Sequence, residues 1–357
     1  MTQGARGSTG ALLPLAGAFA PLRVLATMTA DARQNLFDRL AAAGLDVLLT
    51  EGRSIPADIA RSVRAAGLRL AGGLACYSDH AEAIRPIPDS LRPITPLGEL
   101  RPRMEWYRGI IPTDRRYEDD LVRACRDAAE RHPIDLFVLD FVRWPIHWEL
   151  ELRDGASPID SSFDPTTLRR FRDEMGVDIA VTDPVAAARA IHDELLETWT
   201  AFKCQVIAEL VVRIAGEVRA TRPDLRLGAF VVPGDDATRR RYAGQDVGAL
   251  AASLDLLLPM AYHAILRRPP SWVFEVVADV RQRAPVAIVP VVQATADSAI
   301  AGPSDWGDPF PAGELGQAID AGVAAGGHGF VVFPAHGLDE AALSVVSART
   351  SGLTRHA

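Results

Sequence analysis

The chain has 357 residues with 38 basic and 46 acidic side chains, a formal net charge of −8. Arginines are spread among the acids with no block of like charge, which is not the electrostatic footprint of a nucleic-acid-binding protein. The length is ample for one large core, and no apolar run is long enough to span a bilayer.

The segment Ala11 to Ala20 is apolar and rich in small residues. It imitates a signal peptide, but Pro14 and Gly17 break it, so a cytoplasmic location is expected, with secretion the alternative if a leader has been removed. Leu22 to Thr27 reads as the first strand, and Asp31 to Ala43 as an amphipathic helix stopped by Gly44. Leu45 to Thr50 is a second strand ending at Glu51, and a helix follows over Ala57 to Ala66. Leu68 to Ala75 is a third strand, ending near Tyr77, Asp79 and His80. Ile84 to Pro112 is proline-rich and irregular, as long functional loops are. After a helix from Arg116 to Arg131, the unbroken apolar run Leu136 to Leu139 reads as a strand buried on both faces, and it ends in Asp140.

An excursion follows over Ile146 to Thr182, with a short helix from Pro165 to Met175. A long helix, whole or broken, spans Pro184 to Thr221. Leu225 to Val232, Leu254 to Met260, Val286 to Val292 and Gly329 to Phe333 read as strands five to eight, and Asp339 to Ala348 as the last helix. Eight strands alternating with helices predict a closed (β/α)8 barrel, one domain over residues 1–357 with an insertion at roughly 146–182. The competing doubly wound sheet needs a glycine-rich loop after its first strand, where Met28-Thr-Ala-Asp31 stands instead. The cysteines Cys76, Cys125 and Cys204 lack the spacing of a zinc site or a disulfide framework and read as buried thiols.

In such barrels the chemistry sits at the carboxyl-terminal ends of the strands. Asp140 is therefore the leading catalytic residue, and a salt bridge to Arg143 is its structural reading. Arg143 and Trp144, a guanidinium and an aromatic beside that acid, suit a polyhydroxylated substrate, and cleaving a glycosidic bond takes two carboxyls. The partners considered are Asp235, in the turn Pro233-Gly-Asp-Asp236; Glu149, in the cluster Trp144-Pro-Ile-His-Trp-Glu149; and then Glu51. Asp140 is expected to serve as nucleophile or base, and its partner as proton donor. Arg143, Tyr262, His263, Gln293, His336 and His80 are polar residues near strand ends that could bind sugar hydroxyls, while Trp144, Trp148 and Trp306 could stack on sugar rings. Each has a plain structural reading as packing or as a satisfied polar tip. His80, His263 and His336 with Asp140 could instead hold a metal, but the usual His-x-His after the first strand is missing. There is no Gly-x-Ser-x-Gly elbow.

Several motifs resemble the broad group of glycoside-hydrolase-like barrels, many of whose members are known only as hypothetical glycosyl hydrolases. They are Pro112-Thr113 leading to Tyr117, Leu139-Asp-Phe-Val-Arg-Trp-Pro145, Phe171-Arg-Asp-Glu-Met-Gly-Val-Asp178, Trp199-Thr-Ala-Phe-Lys203, Gly244-Gln-Asp246 and Leu257-Leu-Pro-Met-Ala-Tyr-His263. Their order over roughly residues 110–295 carries the likeness. The group is similar to amylase-type and chitinase-type hydrolases, and the resemblance places the catalytic acid of the fourth strand on Asp140. Arg143 and Trp144 stand where the spaced acids of chitinases would end, which counts against catalysis assisted by a substrate acetamido group. The expected function is cleavage of a carbohydrate substrate with no cofactor, no nucleic-acid or membrane partner, and an oligomeric state the sequence leaves open. Two other readings stand beside it. A silent carbohydrate-binding barrel would lack a second well-placed acid, and a metal-dependent hydrolase would bind zinc or manganese.

Overall fold

A computed structural model describes residues 13–79, 86–302 and 304–353. Its strands are β1 (Leu15–Phe19), β2 (Val47–Glu51), β3 (Arg69–Ala75), β4 (Leu136–Asp140), β5 (Arg226–Val231), β6 (Leu256–Ala261), β7 (Ala287–Ile288), β8 (Val291–Gln293) and β9 (Gly329–Phe333). All pairings are parallel, and pairing of β5 with β6 and of β1 with β9 closes the sheet into a barrel. Segments β7 and β8 are two halves of one stave, so the barrel has the eight staves the sequence predicts. The split falls at Val289-Pro290, because proline has no N–H to give to the ladder. Val289 still donates to Leu257 O at 2.9 Å.

The first stave differs from expectation. It is Leu15–Phe19, inside the run that imitates a signal peptide, and all five of its residues are buried. The expected strand Leu22–Thr27 is a short helix in which only Leu25 is buried. A strand covered on both faces has no place for Arg23, and Pro21 suits the entry to a helix. Gly17 does not interrupt the strand. It faces the crowded lumen, where a Cβ would lie 2.9 Å from Leu15 Cδ2 and 3.1 Å from Val331 Cγ2. The long helix does break, at Leu195, into Pro184–Glu194 and Leu196–Thr221.

The core has two layers. Inward residues such as Leu15, Leu49, Val138, Leu258 and Val331 fill the lumen. Outward residues such as Leu48, Leu70, Phe137 and Val332 meet the helices. The insertion helix Pro165–Met175 is set by its ends: the Asp164 carboxylate accepts from Thr167 N, and Gly176 closes it at φ 65°. No helix among the described residues is long and apolar enough to cross a membrane.

Candidate active site

Because every stave runs the same way, the residues ending them share one rim. A cavity of about 190 Å³ opens there, lined by Glu51 of β2, Asp140 of β4, and Tyr262 just past β6, with Arg143 and Glu149 from the loop after β4. Trp106, from the irregular loop before the fourth helix-strand unit, forms another wall, and Phe19 and Phe333 complete the apolar side. Of the residues chosen from sequence, Glu51, Asp140, Arg143, Glu149 and Tyr262 are brought together.

Asp140 sits where the apolar strand meets the mouth. Burial raises its carboxyl from 3.8 to about 6, against the opposing pull of Arg143 and of the Phe141 N–H, while Glu149 pushes it further up. The Phe141 N–H donates to Asp140 Oδ1 at 2.7 Å. Phe141 has φ 48°, a left-handed conformation that costs a non-glycine residue about 1–3 kcal/mol. Its ring lies under the Arg143 guanidinium, whose Cζ is 4.4 Å from the ring centroid. Arg143 is 1% exposed. The salt bridge to Arg143 that would make Asp140 a structural acid is not formed: among the described residues no carboxylate lies within ion-pair distance of this guanidinium, and its Nε has no hydrogen-bond partner.

Glu149 lies on a short helix, Trp148–Glu151, that folds the insertion over the mouth. His147, buried, stands between two acids, with Nδ1 3.3 Å from Glu149 Oε2 and Nε2 3.5 Å from Glu105 Oε2. The loop is pinned from below by Glu151, which is buried in an ion pair with Arg101 and accepts from His147 N at 2.5 Å and Ile159 N at 2.8 Å. Arg101 in turn donates to Ile159 O at 2.9 Å. A second clamp is Asp79, which accepts from Arg108 N and Gly109 N at 3.2 Å and pairs with Arg92 at 2.7 Å. It fixes the segment carrying Trp106. Gln245 ties the base of the β4 loop to β5, donating to Val142 O and Phe230 O and accepting from Val232 N.

The other sequence choices among the described residues do not line this cavity. Asp235 is a helix cap, accepting from Thr238 N at 2.8 Å, and it borders a separate groove of about 590 Å³ outside the barrel mouth. Trp144 and Trp148 are fully buried and cannot stack on a sugar. Trp144 packs against Trp199 and Phe202 and donates to Lys203 O at 2.9 Å, in a space kept open by Gly244, where a Cβ would lie 2.3 Å from Trp144 Cδ1. Trp148 lies behind Tyr262 at 5.4 Å between ring centroids. Trp306 is half-buried against Phe333 at 5.6 Å. Gln293 is a buried staple that accepts from Ile265 N at 3.0 Å and donates to Thr295 O and Trp306 O.

His263 packs on Phe310, and burial lowers it to about 4, so it is neutral near pH 7 despite Glu314 at 3.7 Å. His336 is on a one-turn helix after β9, and burial lowers it as well. His80 lies outside the described residues. Among the described residues no three or more His, Cys, Asp or Glu side chains form a group able to hold a metal ion.

Sequence reading missed Trp106, His147, Phe141, Glu105 and the Glu151–Arg101 pair. The first lies in the stretch read only as an irregular loop. The cluster around Glu149 did flag the neighbourhood of His147, but nothing in a linear sequence shows that Glu105 closes on it.

Fold and rim thus define a parallel (β/α)8 barrel with carboxyls grouped at its carboxyl-terminal mouth. No family model matches the chain, and no curated protein matches it in sequence. In structure it is similar to the PgaB (BpsB) glycoside hydrolase domain from Bordetella bronchiseptica, over 90% of this chain and 94% of that one, with TM-score 0.65 and 14% identity. It is also similar to the β-amylase catalytic domain from Paenibacillus polymyxa, over 96% and 98% of the two chains, with TM-score 0.65 and 12% identity. A β-galactosidase from Halorubrum lacusprofundi superposes on 95% of this chain, which spans 58% of that protein, with TM-score 0.67 and 12% identity. At such identities the likeness is one of fold. It is the barrel that the glycoside-hydrolase-like motifs imply.

Proposed function

We propose that the protein is a glycoside hydrolase in which Asp140 and Glu149 are the two working carboxyls. The observation that carries this reading is their convergence on one small cavity at the catalytic end of the barrel, with Asp140 raised to about 6. A carboxyl that keeps its proton up to about pH 6, well above an ordinary aspartate, suits the donor to the leaving oxygen. On this reading the roles are the reverse of those expected from sequence: Asp140 is the acid, and Glu149 the nucleophile or base. Glu51 lines the same cavity and contributes to its field.

Donation by Asp140 to the glycosidic oxygen releases the leaving group as an alcohol. Glu149, beside His147, acts on the other side of the sugar, either on the anomeric carbon or on a water. Trp106 supplies the half-exposed aromatic wall against which a ring can lie. The cavity is smaller than the ~300–1,000 Å³ of drug-sized sites, so it fits a single sugar unit. A silent binding barrel would not need a second acid beside Asp140. The test is hydrolysis of a panel of aryl glycosides before and after exhaustive chelation. Activity is expected on at least one glycoside and is expected to survive chelation. Loss restored by zinc or manganese would overturn the two-carboxyl reading.

A further inference from the structure

Most of the described arginines that are buried or half-buried have a carboxylate partner. Arg33 meets Asp58 at 2.6 Å, Arg170 meets Glu118 at 2.6 Å, and Arg239 meets Asp279 at 2.8 Å. Arg143 does not, although it is 1% exposed and lines the cavity. Taking a guanidinium out of water without a partner is costly, and a buried charge is normally paired. Phe141 offers only a ring face beneath it, at 4.4 Å. Stacking uses the flat face of a guanidinium and leaves its in-plane N–H fork free. That fork matches the two oxygens of a carboxylate. Arg23, exposed on the same cavity wall, also has no carboxylate partner among the described residues.

Resting on the glycosidase reading above, we propose that the sugar held in this cavity carries a carboxylate, as a uronic acid does, and that Arg143 binds it as the specificity-determining residue. The carboxylate supplies the hydrogen-bonded partner that no described side chain gives Arg143 at contact distance, Asp140 acting on it only through space. A singly charged planar group is favoured over a phosphate, because Asp140, Glu149 and Glu51 line the same small space and would repel a second negative charge.

The experiment is a binding measurement, so it does not depend on turnover. Calorimetry or ligand-observed NMR at fixed salt compares glucuronate and galacturonate with glucose and galactose on the whole protein. At least one uronate should bind about 10- to 100-fold more tightly than its neutral counterpart, as expected for charge-assisted hydrogen bonds. Arg143→Met should erase that preference, and Arg143→Lys, which keeps the charge but loses the fork, should restore only part of it. Melting curves identify any variant that fails to fold, and the wild-type comparison alone already decides the preference. Equal binding of uronate and hexose, no binding of either, or a preference untouched by Arg143→Met would overturn the proposal. So would a hexose sulfate that binds as tightly as the uronate. If neutral aryl glycosides are cleaved while uronates show no preference, the glycosidase reading survives and this one falls. If uronates bind through Arg143 but nothing is cleaved, the reverse holds.

Discussion

Replacing Asp140 by Asn should lower activity and raise stability, and this opposition separates a catalytic carboxyl from a structural one. The free carboxyl ionises near 3.8, whereas in the folded protein burial holds its proton to about 6. Between those values the native state binds a proton the unfolded chain lacks, so stability falls as pH rises through this window and the full penalty applies above about 6. The displacement corresponds to roughly 3 kcal/mol. Asp140 lies at an open mouth, which trims the figure to about 1–3 kcal/mol. Asparagine is neutral at every pH and can still accept from the Phe141 N–H. Asp140→Asn should therefore melt several degrees higher than wild type at pH 7.5 and at the same temperature near pH 3.5. Turnover of a glycoside cleaved by the wild type should fall about 10²–10⁴-fold, the usual contribution of a positioned acid. A lower melting temperature at pH 7.5, with activity lost in proportion, would refute the reasoning and make Asp140 an anchor for Arg143.

Glu149→Gln should abolish turnover while leaving the melting temperature within a degree or so, since the side chain borders the cavity rather than the core; retention of more than a tenth of the activity would shift the second role to Glu51. Glu151→Gln strands Arg101, buried and without its ion-pair partner, and should destabilise by about 3–5 kcal/mol, read as a lower denaturation midpoint. Proteolysis should show the His147–Glu149 loop opening first, and an unchanged midpoint would contradict the clamp. His263 is held at about 4 by burial, while the unfolded imidazole titrates near 6.5, so the unfolded state takes up the proton and stability is lost as pH falls from about 6.5 to 4. His263→Phe should flatten that part of the stability–pH curve, and an unaltered slope would show that another group causes it.

Much of the barrel was legible because its strands are buried on both faces and stand out as apolar runs between amphipathic helices. Where the reading failed, at the first stave, two local signals pointed the wrong way. Gly17 looks like a breaker but fits a crowded lumen, and Leu22–Thr27 looks apolar but forms a single helical turn or so beside Pro21. The site was legible along the chain and not across it. Asp140, Arg143 and Glu149 fall within ten positions, so one strand and its loop announce them. Trp106 and Glu105 arrive from a distant irregular loop, held by Asp79 and Arg101 through hydrogen bonds that carry no periodicity. The tryptophans failed for a different reason: Trp144 and Trp148 neighbour the key acid in sequence, but the loop turns them into the packing behind the mouth, and burial of so large an apolar surface outweighs exposure to a ligand.

The two proposals meet at Arg143, and their meeting has a kinetic consequence. In the free protein Asp140 is held at about 6 by burial, with Arg143 the main force pulling it down. A substrate carboxylate on the Arg143 fork would neutralise that pull, and the sugar would expel water from the cavity. Both changes favour the protonated acid. A uronide would thus load the proton donor as it binds, whereas a neutral glycoside would supply desolvation alone. The profile of kcat/KM reports the free protein and that of kcat the complex. For a uronide the alkaline limb of kcat should lie about one pH unit or more above that of kcat/KM, which should fall near pH 6. For a neutral glycoside of the same aglycone the two limbs should lie closer together, and in Arg143→Met the uronide should lose its larger displacement. Coincident limbs for the uronide, in a protein that cleaves it, would show that Asp140 and Arg143 do not act on one another through the substrate.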